Sequence, residues 1–188
     1  MQRFWRIITG SETPPKKAKT MSISMYQASV PVFVRQLGAL SAILDKAAAH
    51  ASSQGVDPAS YGQLRLAPDM LPLTSQVFIA ADTAKGCAAR LAGVEAPAFP
   101  DTEVTLAELQ ARITKTLDYL KTFAPAQIDG SEGREVVLKL RSGDRHFSGI
   151  DYLLGFALPN FFFHVTTAYD LLRHQGVPLG KLDYLGAR

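Results

Sequence analysis

The chain is poor in the residues that most readily announce a chemistry. Cys87 is its only cysteine, so no intrachain disulfide can form and no thiolate metal cluster can be built. That usage fits a reducing cytoplasm. Cys87 also falls on an apolar stripe, which makes it a buried small hydrophobe rather than a reactive thiol. No apolar run approaches the roughly 18 residues that a membrane-spanning helix needs; Phe161-Phe162-Phe163 is broken at once by His164. Gly-x-Gly-x-x-Gly, the phosphate-loop pattern and Gly-x-Ser-x-Gly are all missing, which removes the common dinucleotide, nucleotide and hydrolase signatures. The expectation is a soluble, cytoplasmic protein with no membrane partner.

Charge of one sign is scarce too, once the ends are separated. The formal net charge is +3. Residues 1–20 carry Arg3, Arg6, Lys16, Lys17 and Lys19 against Glu12, leaving 15 basic and 16 acidic residues for the rest. A nearly neutral body with a short basic tail argues against nucleic acid, which needs a charged face on the folded domain. The tail reads as a flexible extension, with Gly10-Ser11-Glu12-Thr13-Pro14-Pro15 as linker and the domain proper expected over 21–188. Phe4 to Ile8 is too short and interrupted for a signal-peptide core.

What the sequence has in quantity is helical periodicity. Its 188 residues are 47% hydrophobic and 20% charged, the composition of one globular domain. Tyr26, Val30, Phe33, Leu37, Leu40 and Leu44 recur at steps of four and three, placing them on one helix face opposite Arg35. Ser22 or Ser24 is the expected cap, and Gly55 with Asp57-Pro58 the stop. A second helix opens at Pro68-Asp69, carries Leu73, Val77, Ala80, Ala84, Cys87 and Leu91, and stops at Gly93. Its stripe is small in the middle, so a neighbouring helix can approach closely there. Asp101-Thr102 precedes a third with Leu106, Leu109, Ile113, Leu117 and Leu120, closed by Pro125. A fourth enters at Pro159-Asn160, aligns Leu158, Phe161, Val165, Ala168 and Leu172, and ends at Gly176.

Between the third and fourth helices the period falls to two. Val136, Leu138 and Leu140 alternate with Lys139 and Arg141, Ser142-Gly143-Asp144 can turn, and Arg145 to Ile150 can return with Phe147 inward. The architecture expected is all-α: a four-helix up-down bundle with a short β-hairpin between helices 3 and 4. About twenty buried stripe positions, each contributing roughly 1.5–3 kcal/mol by transfer, suffice for its core. No metal is needed to fold it.

Particular blocks carry a resemblance. Met25-Tyr26-Gln27-Ala28-Ser29-Val30-Pro31-Val32-Phe33, Leu66 to Leu73, Ala84-Lys85-Gly86, Pro159 to Tyr169 and Leu179 to Gly186 resemble a bacterial domain-of-unknown-function family, the one numbered nineteen ninety-three. That family is similar to the DinB/YfiT-like superfamily of four-helix bundles. The resemblance implies a fold that often forms homodimers. It also implies a divalent metal held by three histidines, two of them in a His-x-x-x-His pair on the last long helix, used in some members to activate a thiol for transfer.

The residues do not supply that triad. Positions three and four after His164 are Thr167 and Ala168, and two imidazoles must be that close on one face to share an ion. His174 lies ten residues on, roughly 15 Å along the axis, near the helix end, as an ordinary surface histidine. The second helix has no histidine, and its Asp82 falls opposite the stripe, a solvated carboxylate. His50 sits near the exposed end of the first helix and His146 in the hairpin.

His164 remains. It flanks the inner stripe of its helix, Gln76 flanks that of the second, and Tyr26 and Tyr169 add hydroxyls near the core edge. Two readings of His164, Gln76, Tyr26 and Tyr169 stand open. They form a buried polar cluster that satisfies its own hydrogen bonds, or they line a small-molecule pocket in the bundle. The function expected is a small-ligand-binding or dimerising bundle without a cofactor. The alternative is a divergent metal-dependent, thiol-transferase-like enzyme built on His164.

Overall fold

The structure, a computed structural model, describes residues 22–140 and 143–186, apart from the side chain of Leu140. The expected flexible tail lies outside the described residues, as do Arg141 and Ser142 of the hairpin turn. Four long helices make the bundle: α1 (Val30–Gln54), α2 (Leu73–Ala92), α3 (Leu106–Leu120) and α6 (Leu158–His174). Short helices α4 (Pro125–Ile128), α5 (Gly149–Tyr152) and α7 (Lys181–Leu185) and a 3₁₀ turn at Pro58–Gln63 fill the connections. Helix α2 packs against α6 and α3, and α1 against α3, α6 and α7.

The stripes read from the sequence form most of the core, with Ile43 added and Tyr26, Leu117 and Leu158 only half-buried at its edge. Phe33, Leu37, Leu40, Ile43 and Leu44 of α1 meet Leu73, Val77 and Leu91 of α2, Leu109 and Ile113 of α3, and Phe161 and Val165 of α6, all fully buried. Phe33 and Phe161 touch edge to face with centroids 4.9 Å apart, an arrangement that adds to simple burial. Cys87 is wholly buried, and that burial pushes its thiol far above the usual range, so it is inert packing. No helix among the described residues is long and apolar enough to cross a membrane.

The helix boundaries differ from the sequence reading in four places. Helix α1 begins at Val30, not after Ser22 or Ser24, because Pro31 suits a first helical turn; Ser24 instead closes a preceding turn with Gln27. Helix α2 starts after Pro72 rather than at Pro68-Asp69, since a proline four residues further on would otherwise lie inside the helix. Helix α3 is capped by Thr105, whose side chain and that of Glu108 form a reciprocal capping box, and it ends before Pro125, which opens α4.

The largest difference lies at the fourth helix. Strands β1 (Glu135–Leu140) and β2 (Gly143–Ser148) pair antiparallel, with Val136 opposite Phe147, and Val136 and Leu138 are buried. Ile150 is not strand. Ser148 caps Asp151 and the chain turns helical at Gly149, ten residues before the expected entry. It runs through α5 and a π-helical turn, Leu153–Ala157, directly into α6. Pro159 sits at the junction, where an ordinary α-turn would drive its ring against the carbonyl of Gly155. The wider turn, closed by Leu158 N–H donating to the Leu153 carbonyl, falls just before that proline and relieves it.

Candidate functional site

His164, in the second turn of α6, faces Gln76, in the first turn of α2, across the α2–α6 seam. Both are buried, His164 being 8% exposed. The Gln76 Nε2 donates to the carbonyl of Leu71 at 2.9 Å, so its Oε1 is left as acceptor. His164 Nδ1 therefore donates to Gln76 Oε1, at 2.7 Å. This fixes the tautomer with the proton on Nδ1 and the lone pair on Nε2. The Phe163 ring stands edge-on to the imidazole at 5.2 Å. Burial lowers the His164 pKa below the ordinary histidine value, so the imidazole is neutral at pH 7.

The other two residues of the expected cluster lie apart from this pair. Tyr169 packs on Tyr184 of α7 at 5.8 Å, and Tyr184 shares a 2.9 Å hydrogen bond with Thr166. Tyr26 is half-buried and tied to Asp129, whose carboxylate accepts its backbone N–H. Neither tyrosine is hydrogen-bonded to His164 or Gln76 among the described residues.

The metal implied by the fold resemblance does not fit these donors. No group of three or more His, Cys, Asp or Glu side chains among the described residues could hold an ion. Thr167, one turn beyond His164, spends its hydroxyl on the carbonyl of Phe163, and Ala168 has no donor. His50 pairs with the Tyr61 hydroxyl at 2.9 Å and His146 with Glu135 at 2.9 Å, while His174 is exposed.

Beside the His164–Gln76 pair lies a cleft of about 400 Å³, bounded by α2, β1 and the run from α5 through the π turn into α6. Leu71, whose carbonyl ends the His164–Gln76 relay, and Asn160, one turn before His164, both line it. Asn160 Nδ2 donates to Thr83 Oγ1 at 2.9 Å and ties α6 to α2 along the floor. Tyr152 and Phe156 form a stacked wall, with centroids 6.1 Å apart and planes 19° apart. Tyr152 and Phe156 are four residues apart on this helical run, which puts both rings on one face.

The two ends of the cleft differ in charge. At one end is Asp82, which keeps 40% of its side-chain surface but, unlike the solvated carboxylate expected from the helical wheel, is ion-paired. Its Oδ1 lies 2.8 Å from Lys85 Nζ and 3.0 Å from Arg112 Nη2. The reason is tertiary: α3 and the 94–105 connection cover that flank. Arg112 is nearly fully buried and also meets Asp101 at 2.8 Å and Glu103 at 3.2 Å. Burial pulls the Arg112 pKa down, but Asp82, Glu103 and Asp101 outweigh it and hold the pKa above its usual value. Arg112 also stands over the Phe78 ring at 4.9 Å, and Lys85 over Phe99 at 4.0 Å.

At the other end are Arg90 and Lys139; neither forms a salt bridge among the described residues, and Lys139 stands opposite Asp144 in the hairpin register. Arg90 Nη1 donates to the Tyr152 hydroxyl at 3.1 Å. Burial pushes the Tyr152 pKa up to about 12, so that hydroxyl is neutral and leaves the guanidinium charge uncompensated. These cleft residues sit on separate elements. The one local signal that points toward them is Gly86, a glycine inside a strong helix four residues before Arg90.

Known proteins bear on the fold. No curated protein matches the sequence significantly. The family described as Domain of unknown function (DUF1993) matches residues 25–185. Among solved structures, the crystal structure of a DinB family member protein from Shewanella denitrificans superposes with a TM-score of 0.80 at 42% identity. The match covers 87% of this chain and 92% of that one. The chain belongs to the DUF1993 family and has the helical-bundle fold of its DinB-family neighbour.

Proposed function

We propose that this protein binds a small organic ligand in the cleft between α2, β1 and the α5–α6 junction, without a resident metal. One observation carries the reading: the cleft sets the half-buried Phe156 ring, backed by the buried Tyr152, beside the Arg90 guanidinium, which forms no ion pair among the described residues. Concave sites that are largely apolar, with a few convergent polar groups, are the usual form of small-molecule sites. The His164–Gln76 pair supports the cleft from behind. It fixes α2 against α6 and holds the Leu71 carbonyl at the rim. A fragment titration followed by protein NMR tests this. Saturable shifts should cluster on Phe78, Thr83, Phe156 and Asn160. Shifts scattered over the surface, or confined to the groove between α1 and α7, would count against it.

Self-association is a second reading, favoured by Phe163 and Leu71, which flank the His164–Gln76 pair and are 56% and 48% exposed. Isolated apolar residues on a surface are ordinary, but two beside one buried polar pair suit a self-complementary contact. Sedimentation velocity should then show a dimer that Phe163→Ser dissociates. The metal-dependent thiol-transfer reading makes a different demand. Protein purified without a histidine tag would carry stoichiometric zinc or nickel, and His164→Ala would lose it.

A further inference from the structure

Gly86 stands in the middle of α2, where glycine costs up to about 1 kcal/mol relative to alanine. Its φ is not among the positive ones, so the backbone does not require it. What it supplies is room. The three atoms nearest to a Cβ at Gly86 would all belong to the guanidinium of Arg90. The Arg90 side chain folds back over this gap toward the preceding turn, and the Tyr152 hydroxyl receives Nη1 at the cleft wall. Arg90 is exposed, but this bond tethers one guanidinium nitrogen before any ligand arrives, which lowers the entropy cost of binding.

The charge balance of the cleft decides what that group is for. Asp82, Asp101 and Glu103 are met by Arg112 and Lys85, with Lys115 against the same Phe99 ring at 4.1 Å. The acidic end is therefore satisfied within the protein. Arg90 is eight residues further along α2, roughly 12 Å at 1.5 Å per residue. It shares its end of the cleft with Lys139, whose cross-strand neighbour is Asp144, and Arg90 itself forms no ion pair among the described residues.

We propose that the cleft takes a small organic anion, a carboxylate or a phosphate ester. Its anionic group sits on Arg90, for which Gly86 leaves room and which Tyr152 tethers, and its apolar body lies against Phe156, with the buried Tyr152 behind it. This deepens the ligand-binding reading above and rests on it. Guanidinium forks match both anions with paired hydrogen bonds, and a flat or apolar body complements the stacked aromatic wall.

The test uses three probes on the full chain: 4-phenylbutyrate, phenyl phosphate and the neutral 4-phenylbutyramide, each titrated by protein NMR. At least one anion should bind about tenfold or more tightly than the amide, the size of one charge-assisted hydrogen bond, and the tighter anion identifies the acid. Arg90→Gln should erase that preference. Gly86→Ala should erase it too, because the new methyl unseats the guanidinium, while the melting temperature stays level or rises with helix propensity. Equal binding of amide and anions at Phe156 and Asn160 removes the anion and leaves the ligand cleft standing. Retention of the preference in Arg90→Gln overturns the role of Arg90. No probe shifting the cleft overturns both readings.

Discussion

The Nη2 of Arg112 lies 3.0 Å from Oδ1 of Asp82, across the seam between α3 and α2. This ion pair, with Asp101 and Glu103, fastens the 94–105 connection to the bundle and builds the acidic end of the cleft. Removing the cation strips Asp101 and Glu103 of their ion pair and leaves Asp82 with Lys85 alone. Arg112→Ala is expected to lower stability by about 2–3 kcal/mol in urea denaturation. This is at or below the roughly 3–5 kcal/mol of a fully buried broken pair because Asp82 and Asp101 keep 40% and 58% of their side-chain surface. Arg112→Lys should recover only part, since an ammonium cannot fork between several carboxylates. A loss below about 0.5 kcal/mol for Arg112→Ala would mean that water replaces the guanidinium freely.

His164 gives a stability signal with a defined sign. Its folded pKa is lowered by burial, so between that value and the ordinary value near 6.5 the unfolded chain binds the extra proton. The stabilising contribution is whole above about 6.5 and is lost progressively as pH falls toward the folded value. Chemical denaturation between pH 7 and pH 5 should show stability declining with acid, and His164→Gln should flatten the decline. An identical slope in the variant would show that the imidazole protonates as easily folded as unfolded.

The same pair should be energetically coupled. Gln76 holds its acceptor toward His164 only because Leu71 occupies its donor, so either truncation orphans a buried polar group. A cycle of Gln76→Ala, His164→Ala and the double variant is expected to give a coupling of about 1 kcal/mol. Additive losses would show that the two side chains are neighbours without being partners.

Legibility of the fold followed from periodicity. Phe33, Leu37 and Leu40, or Leu109 and Ile113, repeat at helical steps because each helix buries one face, and that constraint is written residue by residue. Boundaries were less legible where prolines compete. Pro68 and Pro72 both suit a helix start, and the later one prevails because Pro72 would break a helix begun at Pro68. The helical run before Pro159 was hidden because a π turn breaks the 3.6-residue register that pattern reading relies on. For the site, His164 and Gln76 were readable as facing flanks of two stripes. Asp82 was not, because its partners Arg112, Asp101 and Glu103 arrive from α3 and a loop whose path no local pattern encodes. Tyr26 and Tyr169 share helix-edge positions with the pair in sequence, yet α7 and Asp129 claim them in the fold.

Gly149 offers a test of the junction that shapes the aromatic wall. It begins α5, its φ is not positive, and by propensity alone alanine there would help the helix. The fold reverses that sign. A Cβ on Gly149 would strike the backbone carbonyl of Ser131, and the next residue, Ile150, donates its N–H to the Glu132 carbonyl at 3.0 Å. Backbone cannot swing aside as a side-chain tip can, so Gly149→Ala must push the 131–134 turn off the helix start. The expected loss is about 1–3 kcal/mol. Gly155, inside the π turn, has nothing within reach of an added Cβ, and Gly155→Ala should be neutral or stabilising. Thermal melts of the two variants should move in opposite directions or differ by several degrees. If both rise together, Ser131 yields, and the seat of Tyr152 and Phe156 is softer than this packing implies.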